Sequence, residues 1–228
     1  MQTNSENLIV LYEDNHLIAI NKRPGDLVQG DKTGDLPLSD WVKQYIKKKY
    51  DKPGEVFLGT VHRLDRPTSG IVIFAKTSKA LERMNKMFRE KEIDKTYWAL
   101  VKNKPSKTKA RLEDFLVKDP KTNKSKVTAE NTANRKKAIL NYQIRQTLNN
   151  YYLLEINLET GRHHQIRTQL AAIGCPIKGD LKYGFPRSNK DAGISLHARQ
   201  IEFIHPVKKE PLKIVAPCPK DTLWDLCK

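Results

Sequence analysis

Along the chain the spacing of apolar residues switches many times between 2 and about 3.6, so strands and helices interleave. Leu8–Tyr12 and His16–Asn21 read as two short strands around a polar turn at Glu13, Asp14 and Asn15. Residues 24–37, rich in Gly, Asp and Pro, read as a loop. A helix follows, with Leu38, Trp41, Val42, Tyr45 and Ile46 on one face and Lys43, Lys47, Lys48 and Lys49 elsewhere. Residues 56–64 and 70–75 read as strands on either side of a sharp loop, Asp65-Arg66-Pro67-Thr68-Ser69. Ser78 suits the N-cap of a helix that turns Leu81, Met84, Met87 and Phe88 inward and carries Glu82 and Lys86 one turn apart outside.

Thr96–Val101 reads as a strand, and 102–137 as an excursion of hairpins and loops. Ala138–Gln146 and Tyr151–Leu158 form a hairpin across Asn149-Asn150. Arg162–Ile173 reads as a short helix ending at Gly174, and Ile201–Ile204 with Leu212–Ala216 as a closing hairpin. Strands outnumber helices, and sequence neighbours can pair antiparallel. The pattern predicts an α+β fold on a large mixed, mainly antiparallel sheet flanked by helices. No shift in composition divides the chain, so residues 1–228 are expected to form one domain.

Charge changes the picture. Lys and Arg number 42 against 26 Asp and Glu, a net +16. A folded domain this basic points to a polyanionic partner, nucleic acid before an acidic membrane, because a phosphate backbone rewards many distributed cations. No amphipathic basic terminal helix supports the membrane alternative. Three cysteines, Cys175, Cys218 and Cys227, form no C-x-x-C pair and no zinc spacing. Residues 1–7 are polar, and no apolar run is long enough to span a bilayer, so a cytoplasmic protein is expected.

Three stretches carry candidate chemistry. In the first, His62 to Gly70, a carboxylate (Asp65) sits on a loop between two apolar strands beside Arg63 and Arg66. Nearby cations keep such a carboxylate ionised, and an ionised, partly desolvated Asp can act as a nucleophile. The plainer alternative is an Asp that caps the Thr68 or Ser69 amide in a tight turn. In the second, Thr160 to Arg167, Gly161 permits a tight entry to a helix. Arg162, His163 and His164 then gather at its N-terminus, a setting for an anion. Adjacent histidines point apart on a helix and no third ligand is evident, so no metal is expected. In the third, Lys95 to Val101, alternation puts Tyr97 on the face opposite Thr96 and Trp98. There it can stack on a base or simply pack in the core.

Together these stretches resemble the RluA-like family of pseudouridine synthases. His62 to Gly70 resembles the family's H-R-L-D-x-x-T-S-G signature, Lys95 to Val101 its K-x-Y-x-A-x-V strand, and Thr160 to Arg167 its T-G-R-x-H-Q-I-R segment. Gly174 to Asp180, Tyr183-Gly184, Leu196-His197-Ala198 and Phe203 to Pro206 match further, and the likeness runs from about Val10 to about Pro217. It implies the pseudouridine synthase fold with a central RNA-binding cleft, and isomerisation of uridine in ribosomal or transfer RNA. Asp65 is then the catalytic aspartate and Tyr97 the ring lying against the base. Arg162 is the cation paired with the aspartate, a task for which Arg167 is a lesser candidate.

By the same resemblance His62, Arg63, Arg66, Thr68, Ser69, Gly70, His164, Gln165 and Arg167 are expected to bind substrate. Arg83 and Arg89 are further candidates for phosphate contacts. No cofactor or metal is implied, a monomer is the default, and no S4-type RNA-binding module is expected ahead of the matching core. Pro67, the pair Thr168-Gln169, and Gln29 depart from the usual pattern; none belongs to the Asp, Tyr, Arg trio. The rival readings are a catalytically silent RNA-binding protein and a hydrolase using Asp65 with His62 or His164.

Overall fold

The computed structural model describes residues 3–30 and 34–227. Residues 31–33, part of the expected 24–37 loop, lie outside the described residues. The chain divides into two compact units: residues 1–94 with 198–219, and residues 95–197 with 220–228.

The first unit is built on strands β1 (Val10–Glu13), β2 (Leu17–Lys22), β3 (Gly59–Thr60) and β4 (Ser69–Ala75), with helices α1 (Leu38–Lys49) and α2 (Ser78–Glu90). β2 pairs antiparallel with both β1 and β4, and its register sets Leu17 opposite Ala75 and Lys22 opposite Gly70. Both strands are apolar at nearly every position because both sheet faces are covered. Leu17, Ala19, Ile71 and Ile73 join Ala80, Met84 and Met87 of α2 in one core, while Ile18, Ile20, Val72 and Phe74 join Leu38, Val42 and Ile46 of α1 in another.

The expected strand at 56–64 shrinks to β3, which pairs with only Ala75 and Phe74 of β4; the rest finds no partner strand among the described residues. The cap of α2 is Thr77, not Ser78: its Oγ1 accepts the Ala80 amide at 3.2 Å. The ion pair on that helix joins Lys86 to Glu90, at 3.9 Å, rather than to Glu82.

The second unit holds β5 (Asp94–Val101), β6 (Lys109–Asp119), β7 (Lys124–Thr128), β8 (Lys136–Thr147) and β9 (Tyr152–Leu158), in the order β5-β9-β8-β6-β7. Every one of these pairings is antiparallel. One face packs on α3 (Gln165–Ala172) through Ala99, Val101, Leu140, Leu154, Ile156, Ile166 and Leu170. The other carries polar pairs across strands, Thr96 to Asn157 at 3.0 Å and Gln143 to Glu155 at 2.9 Å, and also buries Trp98, Leu100 and Leu153, so burial alternates along only part of β8 and β9. The expected hairpin across Asn149-Asn150 is present, and the excursion at 102–137 is the β6–β7 hairpin.

β10 (Leu196–Ile204) begins among the residues of the second unit and continues from Ala198 in the first, where it pairs with β11 (Pro211–Val215).

Candidate active site

Asp65 stands on the turn that leads into β4. Its backbone oxygen accepts the Thr68 amide at 2.9 Å, closing the turn through the main chain. Asp65 is half-buried, Arg63 and Arg66 exposed, and Thr68, Ser69 and Gly70 buried. Gly70 has φ +112°, and a Cβ there would come within 2.4 Å of the Ala198 carbonyl oxygen on β10. Only glycine allows so close an approach at that φ, so the loop's exit into the sheet is rigidly defined.

A residue with no part in the sequence reading holds this turn from below. Lys22, at the end of β2, is only 1 % exposed. Its ammonium donates to the Arg23 carbonyl at 2.8 Å and the Arg66 carbonyl at 3.0 Å. Gly25 adds its amide to the Arg66 carbonyl at 2.9 Å, and Arg66 Nε returns a bond to the Gly25 carbonyl at 3.1 Å. Burial pushes the Lys22 ammonium down to about 7, against the pull of the Asp26 and Asp65 carboxylates, which favour its charged form; the Arg66 charge works with burial. A lysine closing an otherwise apolar strand was the available signal; its burial depends on residues far along the chain.

His62 and Arg66 are committed within the unit. His62 Nε2 accepts the Ile73 amide at 3.1 Å and its ring stacks on Phe88 with centroids 5.0 Å apart. Arg66 pairs with Asp35 at 2.6 Å. Arg83 donates to the Pro206 carbonyl at 2.9 Å, and Arg63 and Arg89 are exposed.

In the second unit Tyr97 lies on β5 opposite Ile156, half-buried against the core that includes Ala99 and Val101. Arg162 is exposed, ahead of the helix rather than in it, since α3 starts at Gln165. The turn carrying it is held by buried neutral groups. Gln165 Oε1 accepts the Arg162 amide at 2.9 Å and the Thr160 hydroxyl at 2.8 Å, while Gln165 Nε2 donates to the Ile139 carbonyl at 3.0 Å. The Arg162 side chain is itself steered by a bond from Nε to the Lys137 carbonyl at 2.8 Å.

The two histidines do not point apart as on a helix. His164, with φ +53°, stands just before α3 and its ring stacks on that of His163 at 3.8 Å. His164 Nδ1 meets the Tyr183 hydroxyl at 2.9 Å and His163 Nδ1 the Ser125 hydroxyl at 2.9 Å. Burial first, then the charges of Arg167 and His163, hold the His164 ring down to about 2, so it is neutral at physiological pH. Arg167 is 4 % exposed and grips Asp180 with two bonds, at 2.7 and 2.8 Å. Tyr183, Asp180 and Ser125 thus complete this scaffold; the run Gly179-Asp180 and Tyr183-Gly184 in the sequence was their only advance signal.

Two segments present a half-buried carboxylate and an exposed guanidinium on scaffolded turns, upon α+β units whose elements match a known architecture: the fold is that of the pseudouridine synthases. Over 96 % of its length the chain superposes on 91 % of the human protein titled RNA Pseudouridylate Synthase Domain Containing 4, with a TM-score of 0.80 and 25 % identity. Residues 16–172 match the family described as RNA pseudouridylate synthase, and the chain belongs to that family. Its relatives include the ribosomal large subunit pseudouridine synthase D of Xylella fastidiosa, 31 % identical over 94 % of this chain and 67 % of that protein. Another is the ribosomal large subunit pseudouridine synthase C of Buchnera aphidicola, 35 % identical over 91 % of this chain and 66 % of that protein. The chain therefore spans about two thirds of the length of these RluA-like relatives.

Proposed function

We propose that this protein is an isomerase that converts uridine in RNA to pseudouridine, with ribosomal RNA as the substrate. The relatives' names support the RNA class, and the +16 net charge supports a phosphate-rich partner. The observation that carries the reading is the Asp65 turn: a carboxylate on a loop fixed from behind by a buried lysine.

The target uridine must first leave its stack, at a cost of about a few kcal/mol that cationic contacts to the flanking phosphates offset. Asp65 then drives cleavage of the bond between C1′ and N1, by attack on C1′ or through loss of uracil after proton removal at C2′. The detached uracil turns against Tyr97, and C5 bonds to C1′ as the Asp65–C1′ bond breaks or, in the second route, as C2′ regains its proton; the C5 proton then leaves as N1 gains one. Arg162 supplies the cation that pairs with the aspartate in the reaction. The step is an isomerisation, without redox change, hydrolysis or phosphoryl transfer, and calls for no cofactor or metal. Residues 1–228 work as one catalytic domain, a monomer in the cytoplasm. Among the described residues no helix is long and apolar enough to cross a membrane.

Gln165, His164 and Arg167 act by positioning Arg162, and Thr68, Ser69 and Gly70 by positioning Asp65. The hydrolase alternative needs a basic imidazole. His62 Nε2 is occupied by the Ile73 amide, and His164 is buried and held neutral, which disfavours both candidates. Incubation with RNA carrying 5-fluorouridine tests the reading. Wild-type protein should alter or covalently hold the base, and Asp65→Ala should not. Unchanged RNA with wild-type protein would leave a silent RNA binder; free uracil would indicate a hydrolase.

A further inference from the structure

Two cavities have linings that include none of Asp65, Tyr97 and Arg162, and these linings differ in charge. One, of about 410 Å³, mixes Arg83, Lys86 and Lys209 with Glu90 and Glu92, and two of its cations are engaged, Lys86 with Glu90 and Arg83 with the Pro206 carbonyl. The other, a groove of about 580 Å³ within the second unit, is lined by Lys102, Lys178, Arg187, Tyr151, Phe185 and Asn189 among others, with no carboxylate.

The groove is built rather than incidental. The Lys178 amide donates to the Leu100 carbonyl at 2.9 Å, the Leu100 amide to the Ser195 carbonyl at 3.0 Å, and the Ser195 amide to the Lys178 carbonyl at 2.8 Å. These bonds fasten both ends of the 178–195 loop to the end of β5. Inside the loop Asn189 Oδ1 accepts from Lys178 Nζ at 2.6 Å and Asn189 Nδ2 donates to the Ser195 hydroxyl at 3.2 Å. Gly179, at φ +87°, passes so close beneath Asn189 that a Cβ would fall 2.7 Å from its side chain. Lys102 and Arg187 are exposed and form no ion pair among the described residues. Tyr151, half-buried, sits at the rim on the β8–β9 turn, which the Leu148 amide closes on the Tyr151 carbonyl at 2.8 Å.

Unopposed cations around an aromatic ring suit a single nucleic-acid strand, since phosphates satisfy the charges and any base can stack on the ring. Lys102, just past the end of β5, follows Tyr97 by five residues, ~17 Å at strand rise, beyond the reach of the nucleotide that Tyr97 would hold. We propose that this groove is a second RNA-contact site, taking single-stranded nucleotides that flank the target uridine, with phosphates on Lys102 and Arg187 and a base against Tyr151. The proposal rests on the RNA-modifying function above.

The test compares a stem–loop carrying the uridine in its loop, with and without a single-stranded extension of about eight nucleotides. Wild-type protein should bind the extended RNA about tenfold or more tightly than the short one. Lys102→Gln with Arg187→Gln should abolish that advantage and lower the salt slope for the extended RNA by about 1.4, two phosphates' worth on a single strand. Conversion of the short RNA should be unchanged. Tyr151→Ala should remove part of the advantage and Tyr151→Phe keep it. Retention of the full advantage in the double variant overturns the proposal. So does an equal loss on both RNAs, or stronger competition by polyglutamate than by single-stranded RNA. If wild-type protein forms no pseudouridine on either RNA, the isomerase reading fails, while an extension effect dependent on Lys102 and Arg187 would still establish the groove.

Discussion

The two units hold their candidate groups by opposite means. In the first, a sheet covered on both faces backs the Asp65 turn, and the turn is tied down by a buried lysine, Lys22. In the second, a sheet packed on α3 carries Arg162 on an exposed turn, tied down by the neutral Gln165 beside the neutral His164, with a buried ion pair, Arg167–Asp180, in the same helix start. A buried ammonium behind a carboxylate fixes the turn through its bonds to main-chain carbonyls, and its charge attracts the group presented rather than repelling it. Behind an arginine a second charge would repel, and neutral donors and acceptors fix the turn without that penalty. The scaffold's chemistry thus follows the sign of the group it presents.

Removing the presented group itself should have the largest effect. Asp65→Asn is expected to lower the rate of pseudouridine formation by about a thousandfold or more. Its urea midpoint should stay near wild type and its RNA affinity within a few-fold, because the turn is closed through the main chain, from the Thr68 amide to the Asp65 carbonyl. A variant that kept most of its activity would remove Asp65 from the chemistry and with it the contrast between a presented group and its scaffold. The next effect belongs to the second unit's scaffold. Arg167→Ala leaves Asp180 buried and unpaired, and urea unfolding should show a loss of about 3–5 kcal/mol. Arg162→Ala, at an exposed position, should change stability little while lowering turnover.

What the sequence disclosed follows the reach of each interaction. The Asp65 turn was legible because it is local: Asp-Arg-Pro-Thr between apolar runs. The hairpin at Asn149-Asn150 and the inward face of α2 were legible for the same reason. The strand expected at 56–64 failed because an apolar run becomes a strand only where a partner edge exists, and β4 offers one to Gly59 and Thr60 alone. Lys22 stayed hidden because its partner carbonyl at Arg66 is 44 residues away. The stacking of His163 on His164 stayed hidden because the left-handed φ of His164 breaks the helical geometry that the run from Arg162 to Ile173 suggested.

Lys22 should show the cost of its cation directly. Its folded value near 7 lies below the 10.5 of an unfolded lysine, so between those values the unfolded chain binds the extra proton and stability rises with pH. Lys22→Met removes that dependence. The wild type should therefore gain on the variant by a few kcal/mol, roughly, as pH climbs from 7 towards 10, read from urea unfolding at each pH. A pH-independent difference would mean that the ammonium is not desolvated, and that the first unit's anchor is not the charged one described here.

His164 gives the smaller, mirror test in the second unit. Its ring is neutral when folded, held down to about 2, whereas in the unfolded chain it takes a proton near the ordinary value of 6.5. The unfolded state therefore binds more protons below 6.5, and the contribution of His164 is complete above that pH and lost progressively as pH falls towards 2. The loss should be about 1.4 kcal/mol for each pH unit once below 6.5. Carboxylates add their own acid dependence, so the measurement is the difference between wild type and His164→Gln across pH 7 to 5. The variant is expected to be the less stable at pH 7, where the imidazole's bond to Tyr183 is lost, and to close the gap as pH falls. A gap that widened on acidification would mean that the His164 ring gains a proton within the fold, and the second unit's turn would then be anchored by charge, as the first is.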